Sequence, residues 1–258
     1  MNHKYCLITG AAGGFGRAYT LSCIKEGFIP ILTDIDILKL ETIQKELLDQ
    51  YHVSCVVIAS DIRDDHGTDD IWQYLDNHNI KLSKVINTVG IEVEGMFYDV
   101  SSEHITNIVK TNVVGFTNII SQSIKYKDEY MEIINFGSLA GFFSMPYKAV
   151  YAATKSYIIN LSRALYLELK PQHVHVLVVC PAGVPTRQEV IDRIKKQGFY
   201  GKITTSKVED IVNKSLKLVK KGKAVYVPRF SNKLLIFIAR FLPSLLTTKI
   251  IARRWMKK

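Results

Sequence analysis

Two short stretches of this chain carry side chains suited to proton transfer. In "AVYAATKSY" the phenol of Tyr151 is followed four residues later by the ammonium of Lys155. Four residues is close to one helical turn, so on a helix the two share a face. A free tyrosine has a pKa of about 10, too high for a good base near neutrality. A neighbouring cation favours the phenolate. Lowering the pKa by about three units takes roughly 4 kcal/mol of differential stabilisation, which one or two cations in a partly dry site can supply. Upstream, "NFGSLAG" offers the hydroxyl of Ser138, a donor able to stabilise charge developing on a substrate oxygen. Tyrosine and lysine at this spacing are also common on ordinary helices, so their meaning depends on the elements that position them.

Short apolar runs alternate with longer segments of helical period. Strands are predicted at 5–10, 28–34, 54–61, 84–90, 131–138 and 174–181, with a weaker one at 224–228. Helices are predicted near 14–26, 37–51, 66–78, 102–125, 149–170 and 206–220. Ser206 with Glu209 makes a capping-box pattern, and Ser101 and Ser102 precede the long run 103–125. Apolar strands alternating with helices imply an α/β fold, a doubly wound parallel sheet of Rossmann type covered on both faces. Sites in such sheets lie at the carboxyl ends of the strands. Ser138 then ends the fifth strand, and Tyr151 and Lys155 open the following helix.

The other strand ends are equally informative. After the first strand comes "TGAAGGFG", with Thr9, Gly10, Gly14, Phe15 and Gly16 opening a helix. Glycines there let the backbone approach a pyrophosphate, and the helix N-terminus offers it N–H groups and a positive dipole. No Lys-Ser/Thr pair follows, which excludes a Walker-type nucleotide loop. Asp34, followed by Ile35, ends the second strand. A carboxylate there can take both hydrogen bonds of an adenosine ribose diol and repels a 2′-phosphate. With Gly13 uncharged in the loop, NAD is expected over NADP, Arg17 being the one nearby cation. Asp36 is a second candidate for the diol. Asp61 is placed either at the adenine edge, with Ile62 on the ring, or as a cap of the next helix. Asn87 and Gly90 would bring backbone close to the cofactor ribose.

These residues together resemble the short-chain dehydrogenase/reductase family over roughly residues 4–228. TGxxxGxG is met by Thr9, Gly10, Gly14 and Gly16, and YxxxK by Tyr151 and Lys155, with Ser138 as the serine. The family's asparagine matches Asn112 in "KTNVVG", and its motif after the sixth strand matches "CPAGVPT", with Pro181, Val184 and Thr186. The usual NNAG is NTVG here, and the usual Pro-Gly is Pro181-Ala182. The resemblance implies hydride transfer between a nicotinamide and a secondary alcohol or ketone. In that reading Tyr151 is the general acid/base, Ser138 binds the substrate oxygen, and Lys155 also holds the ribose hydroxyls. Asn112 anchors a water that relays protons to Lys155. It also implies a homodimer or homotetramer, and a substrate lid over 185–205. Phe142, Phe143, Met145 and Tyr147 would make an apolar pocket for a lipid-like or steroid-like substrate, although aromatics there equally serve core packing.

A chain of 258 residues with 47% hydrophobic residues can bury a sizeable core as one domain. The catalytic domain is set at 1–228, with a basic amphipathic extension at 229–258. Cys6, Cys23, Cys55 and Cys180 lie far apart in apolar stretches without zinc spacing, as buried free thiols of a reducing compartment do. No histidine pattern points to a metal. The start of the chain lacks the apolar core of a secretory signal, so a cytoplasmic location is expected.

The charge is uneven. Residues 1–210 hold 21 Lys/Arg against 24 Asp/Glu, whereas 211–258 hold 13 Lys/Arg and no acid. A basic tail on a near-neutral body points to a local contact and not to nucleic acid. As a helix, 233–258 places Lys233, Arg240, Ser244 and Thr247 on one stripe, with Pro243 kinking or splitting it. Two readings stay open: peripheral contact with the inner face of a membrane, with Trp255 at headgroup level, or packing on a partner subunit or the substrate cavity. Two other functions are also weighed. One is an NADPH-dependent 3-oxoacyl-thioester reductase, and the other is a non-catalytic NAD-sensing scaffold.

Overall fold

A computed structural model describes residues 4–185 and 204–253. Its strands are β1 (Lys4–Thr9), β2 (Phe28–Asp34), β3 (Val56–Ala59), β4 (Leu82–Asn87), β5 (Lys127–Phe136), β6 (Val174–Val179) and β7 (Val225–Tyr226). They form one sheet in the order β3-β2-β1-β4-β5-β6-β7, and every pairing is parallel. The chain winds outward from β1 to β3 and then returns to β4. That reversal opens the crevice at which such sheets bind ligands.

The helices are α1 (Gly14–Lys25), α2 (Ile37–Tyr51), α3 (Asp69–Asn77), α4 (Ser102–Val109), α5 (Phe116–Lys125), α6 (Ala149–Glu168), α7 (Val208–Lys220), α8 (Phe230–Ala239) and α9 (Ser244–Ala252). Successive strand residues point to opposite faces, and the two cores follow that alternation. Cys6, Ile8, Leu32, Ile86, Ile134 and Leu177 pack under Tyr19 and Cys23 of α1, Leu40 of α2 and Leu216 of α7. Leu7, Ile31, Val85, Ile133 and Val176 pack on the other face under Ile71, Trp72 and Ile119. All four cysteines are buried free thiols.

Several boundaries differ from those predicted, three of them with a visible cause. The segment 102–125 is not one continuous helix; a π-helical turn, Lys110–Gly115, separates α4 from α5. Two tertiary contacts lie at that turn. Asn112 sends its side chain to the backbone of Ile91. Gly115 lies so close to the chain after β3 that a Cβ there would sit 2.2 Å from the Ile62 carbonyl oxygen. β3 stops at Ala59, where the Ser60 N–H closes the pairing by donating to the Asp34 carbonyl at 2.9 Å. α7 starts at Val208 with Lys207 at its cap, so Ser206 is buried one residue too early to serve, whereas Ser101 caps α4 by accepting from the His104 N–H.

Candidate active site

β1 delivers the chain into the glycine loop. Gly10 has φ +68, in the left-handed region that glycine enters without steric cost, and Gly13 N–H donates back to its carbonyl at 3.0 Å. α1 then starts at Gly14 with Gly13 as its cap. No side chain caps it, and no acid sits in the first turn. Its first N–H groups and the positive helix end are thereby left for an anion, which is the arrangement a pyrophosphate requires. The departure at Thr88 has a structural use, since its hydroxyl donates to the Thr9 carbonyl at 2.8 Å and braces the loop.

Asp34 ends β2 beside this loop. One carboxylate oxygen accepts from Ala12 N–H at 3.1 Å and the other from Asp36 N–H at 3.3 Å. Ile35 is exposed next to it. Asp36 instead caps α2, accepting from Lys39 N–H, so Asp34 is the carboxylate at the strand end. Arg17 is ion-paired with Glu46 of α2. Asp61 corrects the expectation of a helix cap. Its carboxylate accepts from the backbone N–H and guanidinium of Arg63, which hold it below the usual carboxylate range, and α3 is capped elsewhere, at Thr68. The Ile62 side chain packs in the core with Leu7 and Ile31 and not into the crevice. The Asn87 side chain is likewise inside the sheet. It accepts from Thr9 and donates to Asn135 at 2.9 Å, and Asn135 donates to Ser162 of α6. Only its backbone can reach a ribose.

The four catalytic candidates lie around the carboxyl end of β5. Ser138 follows β5 and caps the turn Leu139–Phe142, its hydroxyl accepting from Ala140 N–H at 3.2 Å. That turn is tied to the chain after β6 by Leu139 N–H donating to the Pro181 carbonyl at 2.8 Å. Tyr151 and Lys155 sit in the first two turns of α6. The Lys155 ammonium is buried and donates to the Phe136 carbonyl at 2.8 Å, two residues before Ser138. It lies 5.8 Å from the centre of the Tyr151 ring. Burial pushes its pKa down to about 8, with Cys180 and Glu92 opposing the shift. Gly90 leaves room for this ammonium, since a Cβ there would come within 3.0 Å of it. Phe15 packs against Phe136 at 4.5 Å between ring centres, joining the glycine loop to this end of β5.

Asn112 spans the site from the far side. Its amide oxygen accepts from Ile91 N–H at 3.0 Å, and its amide nitrogen donates to the Ile91 carbonyl and to the Thr154 hydroxyl. Thr154 in turn donates to the Tyr151 carbonyl at 2.9 Å. The side chain thus clamps the exit of β4 to α6 one residue from Lys155.

Sequence reasoning missed Lys148. It is buried at the start of α6, with its ammonium 3.1 Å from Glu92, 3.5 Å from Glu94 and 5.8 Å from the Tyr151 ring centre. The Tyr151 ring therefore has two ammoniums nearby, Lys148 paired with Glu92 and Glu94 and Lys155 bound to a carbonyl. A lysine three residues before the tyrosine, with two glutamates just past the fourth strand, is the signal that could have found it. Among the substrate candidates, Phe142 and Phe143 pack partly on the core around Ile158, Val178 and Val227. Tyr147, with φ +66, lines a small cleft with Val93, Gly95 and Phe97. Met145 is half-buried. Pro181 and Val184 are buried after β6, while Thr186 and most of the expected lid lie outside the described residues.

Comparison with known proteins agrees with this geometry. The family model described as short chain dehydrogenase matches residues 4–195. A very-long-chain 3-oxoacyl-CoA reductase of Vanderwaltozyma polyspora is 29% identical over 191 residues, covering 69% of this chain and 54% of that relative. The chain thus spans about half the length of that protein. The 17-beta-hydroxysteroid dehydrogenase type 3 of Mus musculus is 23% identical over 260 residues, covering 98% of this chain and 81% of the relative. Among solved structures, the bulky-bulky ketone specific alcohol dehydrogenase of Comamonas testosteroni superposes with a TM-score of 0.77, at 22% identity and 93% coverage of both chains. With the family match spanning most of its length, this chain belongs to the short-chain dehydrogenases.

Proposed function

We propose that the chain is an NAD-dependent oxidoreductase interconverting a secondary alcohol and a ketone on an apolar substrate. The observation that carries this reading is the buried Lys155 ammonium, fixed on the Phe136 carbonyl two residues before Ser138 and 5.8 Å from the Tyr151 ring centre. Bound in the glycine-loop cradle, a nicotinamide dinucleotide supplies or accepts the hydride. The remaining work falls to the chain. Tyr151 gives a proton to the ketone oxygen or takes one from the alcohol. Lys155 favours its phenolate form, Lys148 being paired with Glu92 and Glu94, and Ser138 holds the substrate oxygen as charge develops. Lys155 also binds the ribose hydroxyls, and Asn112, besides clamping α6, holds the relay water.

Asp34 at the strand end and Arg17 engaged by Glu46 support NAD over NADP. The lipid- or steroid-like substrate class draws on the names of the relatives and on Phe142, Phe143, Met145 and Tyr147 near Ser138. A homodimer or homotetramer belongs to the same proposal, supported by exposed Tyr157 and Leu167 on α6. A second reading, NADPH-dependent reduction of a 3-oxoacyl thioester, is favoured by the yeast relative and by the basic C-terminal segment. Titration of NADH and NADPH by nicotinamide fluorescence separates the two. The expected result is tighter NADH binding, with the preference reduced about tenfold or more in Asp34→Ala. Preferential NADPH binding by the parent chain would favour the thioester reductase.

A further inference from the structure

α8 and α9 are short helices with little of their surface covered. In α8 only Asn232 is fully buried, and in α9 no described residue is. Asn232 donates to the carbonyls of Thr204 and Pro228, Arg229 donates to the Thr205 carbonyl, and Ile236 packs on the same core cluster as Phe142 and Phe143. Asn232, Ile236 and Ala239, spaced four and three apart, form the face held by the body. Phe230, Leu234, Phe237 and Phe241 repeat at the same spacing on the opposite face. They are 77%, 44%, 57% and 74% exposed, and the rings of Phe237 and Phe241 meet at 5.1 Å. After the break at Pro243, Leu245, Leu246 and Ile250 of α9 are also exposed. Of 22 large apolar residues exposed among the described residues, 10 lie between 230 and 250. So dense a patch marks an interaction site.

The charge around the patch selects the partner. Lys233, Arg240, Lys249 and Arg253 are exposed, and no acid occurs anywhere in 211–258. A second copy docking face to face would set these cations against their own copies with no acid of the segment to compensate. Aliphatic and phenylalanine side chains flanked by cations instead match a surface that is anionic outside and apolar beneath. An α8 of 10 residues is about 15 Å long, half the roughly 30 Å of a bilayer's hydrocarbon core. No helix among the described residues is long and apolar enough to cross a membrane. The geometry points to an anchor lying in the membrane plane, and we propose that α8 and α9 bind the surface of an anionic phospholipid bilayer through Phe230, Leu234, Phe237 and Phe241, with Lys233 and Arg240 on the headgroups. Because α8 is rooted on the core cluster against which Phe142 and Phe143 also pack, bilayer contact would bring lipid to the substrate side. That consequence rests on the apolar-substrate reading, whereas the binding itself does not.

The test is co-sedimentation of the full chain with phosphatidylcholine vesicles and with vesicles also containing phosphatidylglycerol, measured without turnover. Binding is expected on the anionic vesicles, weaker on the zwitterionic ones and weakened by salt. Phe237→Ser and Phe241→Ser should each weaken it on the order of tenfold, and Lys233→Glu with Arg240→Glu should abolish the anionic preference. All four positions are exposed, and circular dichroism checks that the fold is kept. No binding to either vesicle overturns the proposal, as does binding indifferent to these substitutions. Phenylalanine variants that change the oligomeric state and leave vesicle binding intact would give the face to a second copy, and overturn it too.

Discussion

Burial gives Lys155 two opposed properties. It places the ammonium near the Tyr151 ring, and it makes that charge costly to keep. Its pKa is about 8 in the folded chain and about 10.4 in an unfolded one. Below about pH 8 both states are protonated, and the folded state bears the full burial cost. Between the two values the unfolded state binds more protons, so stability rises with pH. The parent chain should therefore gain up to about 3 kcal/mol relative to Lys155→Met between about pH 8 and 10.4. Urea denaturation of both proteins at several pH values measures this. A difference that stays flat across that window would contradict the buried ammonium. Tyr151, Lys155, Ser138 and the glycine loop were legible because each sits at a fixed distance from a strand end. Ile62 was not, because the sequence does not say which face of the chain a residue presents after its strand ends, and its side chain turns into the core.

At the scale of elements, β2 and α2 span the predicted 28–34 and 37–51. Their signals are local: an apolar run closed by Asp34, then Asp36 at a helix cap. The π-turn at Lys110–Gly115 had no such signal, because it coincides with contacts to Ile91 and Ile62, both remote in sequence. Gly115→Ala separates local from tertiary control there. Helix propensity alone predicts stabilisation by about 1 kcal/mol. The 2.2 Å approach to the Ile62 carbonyl predicts a loss of about 1–3 kcal/mol, because the opposing atom is backbone and cannot rotate away. Denaturant melts decide between them, and a neutral or stabilised variant would contradict the close packing of the π-turn on the chain after β3.

Across the whole molecule, the divide between a near-neutral body and a basic tail was visible in the sequence, as was the split at Pro243. Which residues of the tail would face outward was not, since that depends on the seat of Asn232 and Ile236 on the body. The substrate pocket was legible least, because its walls come from loops whose side chains divide between core and cleft. The functional account stands on one proton-transfer group beside the buried Lys155 ammonium. It is tested most directly by Tyr151→Phe, assayed for NADH oxidation with a panel of apolar ketones and for NADH binding. The account predicts that turnover falls by about 10²–10⁴-fold while NADH affinity stays within a few-fold of the parent. Turnover retained at the parent level would show that the proton is moved by another group and contradict the assignment.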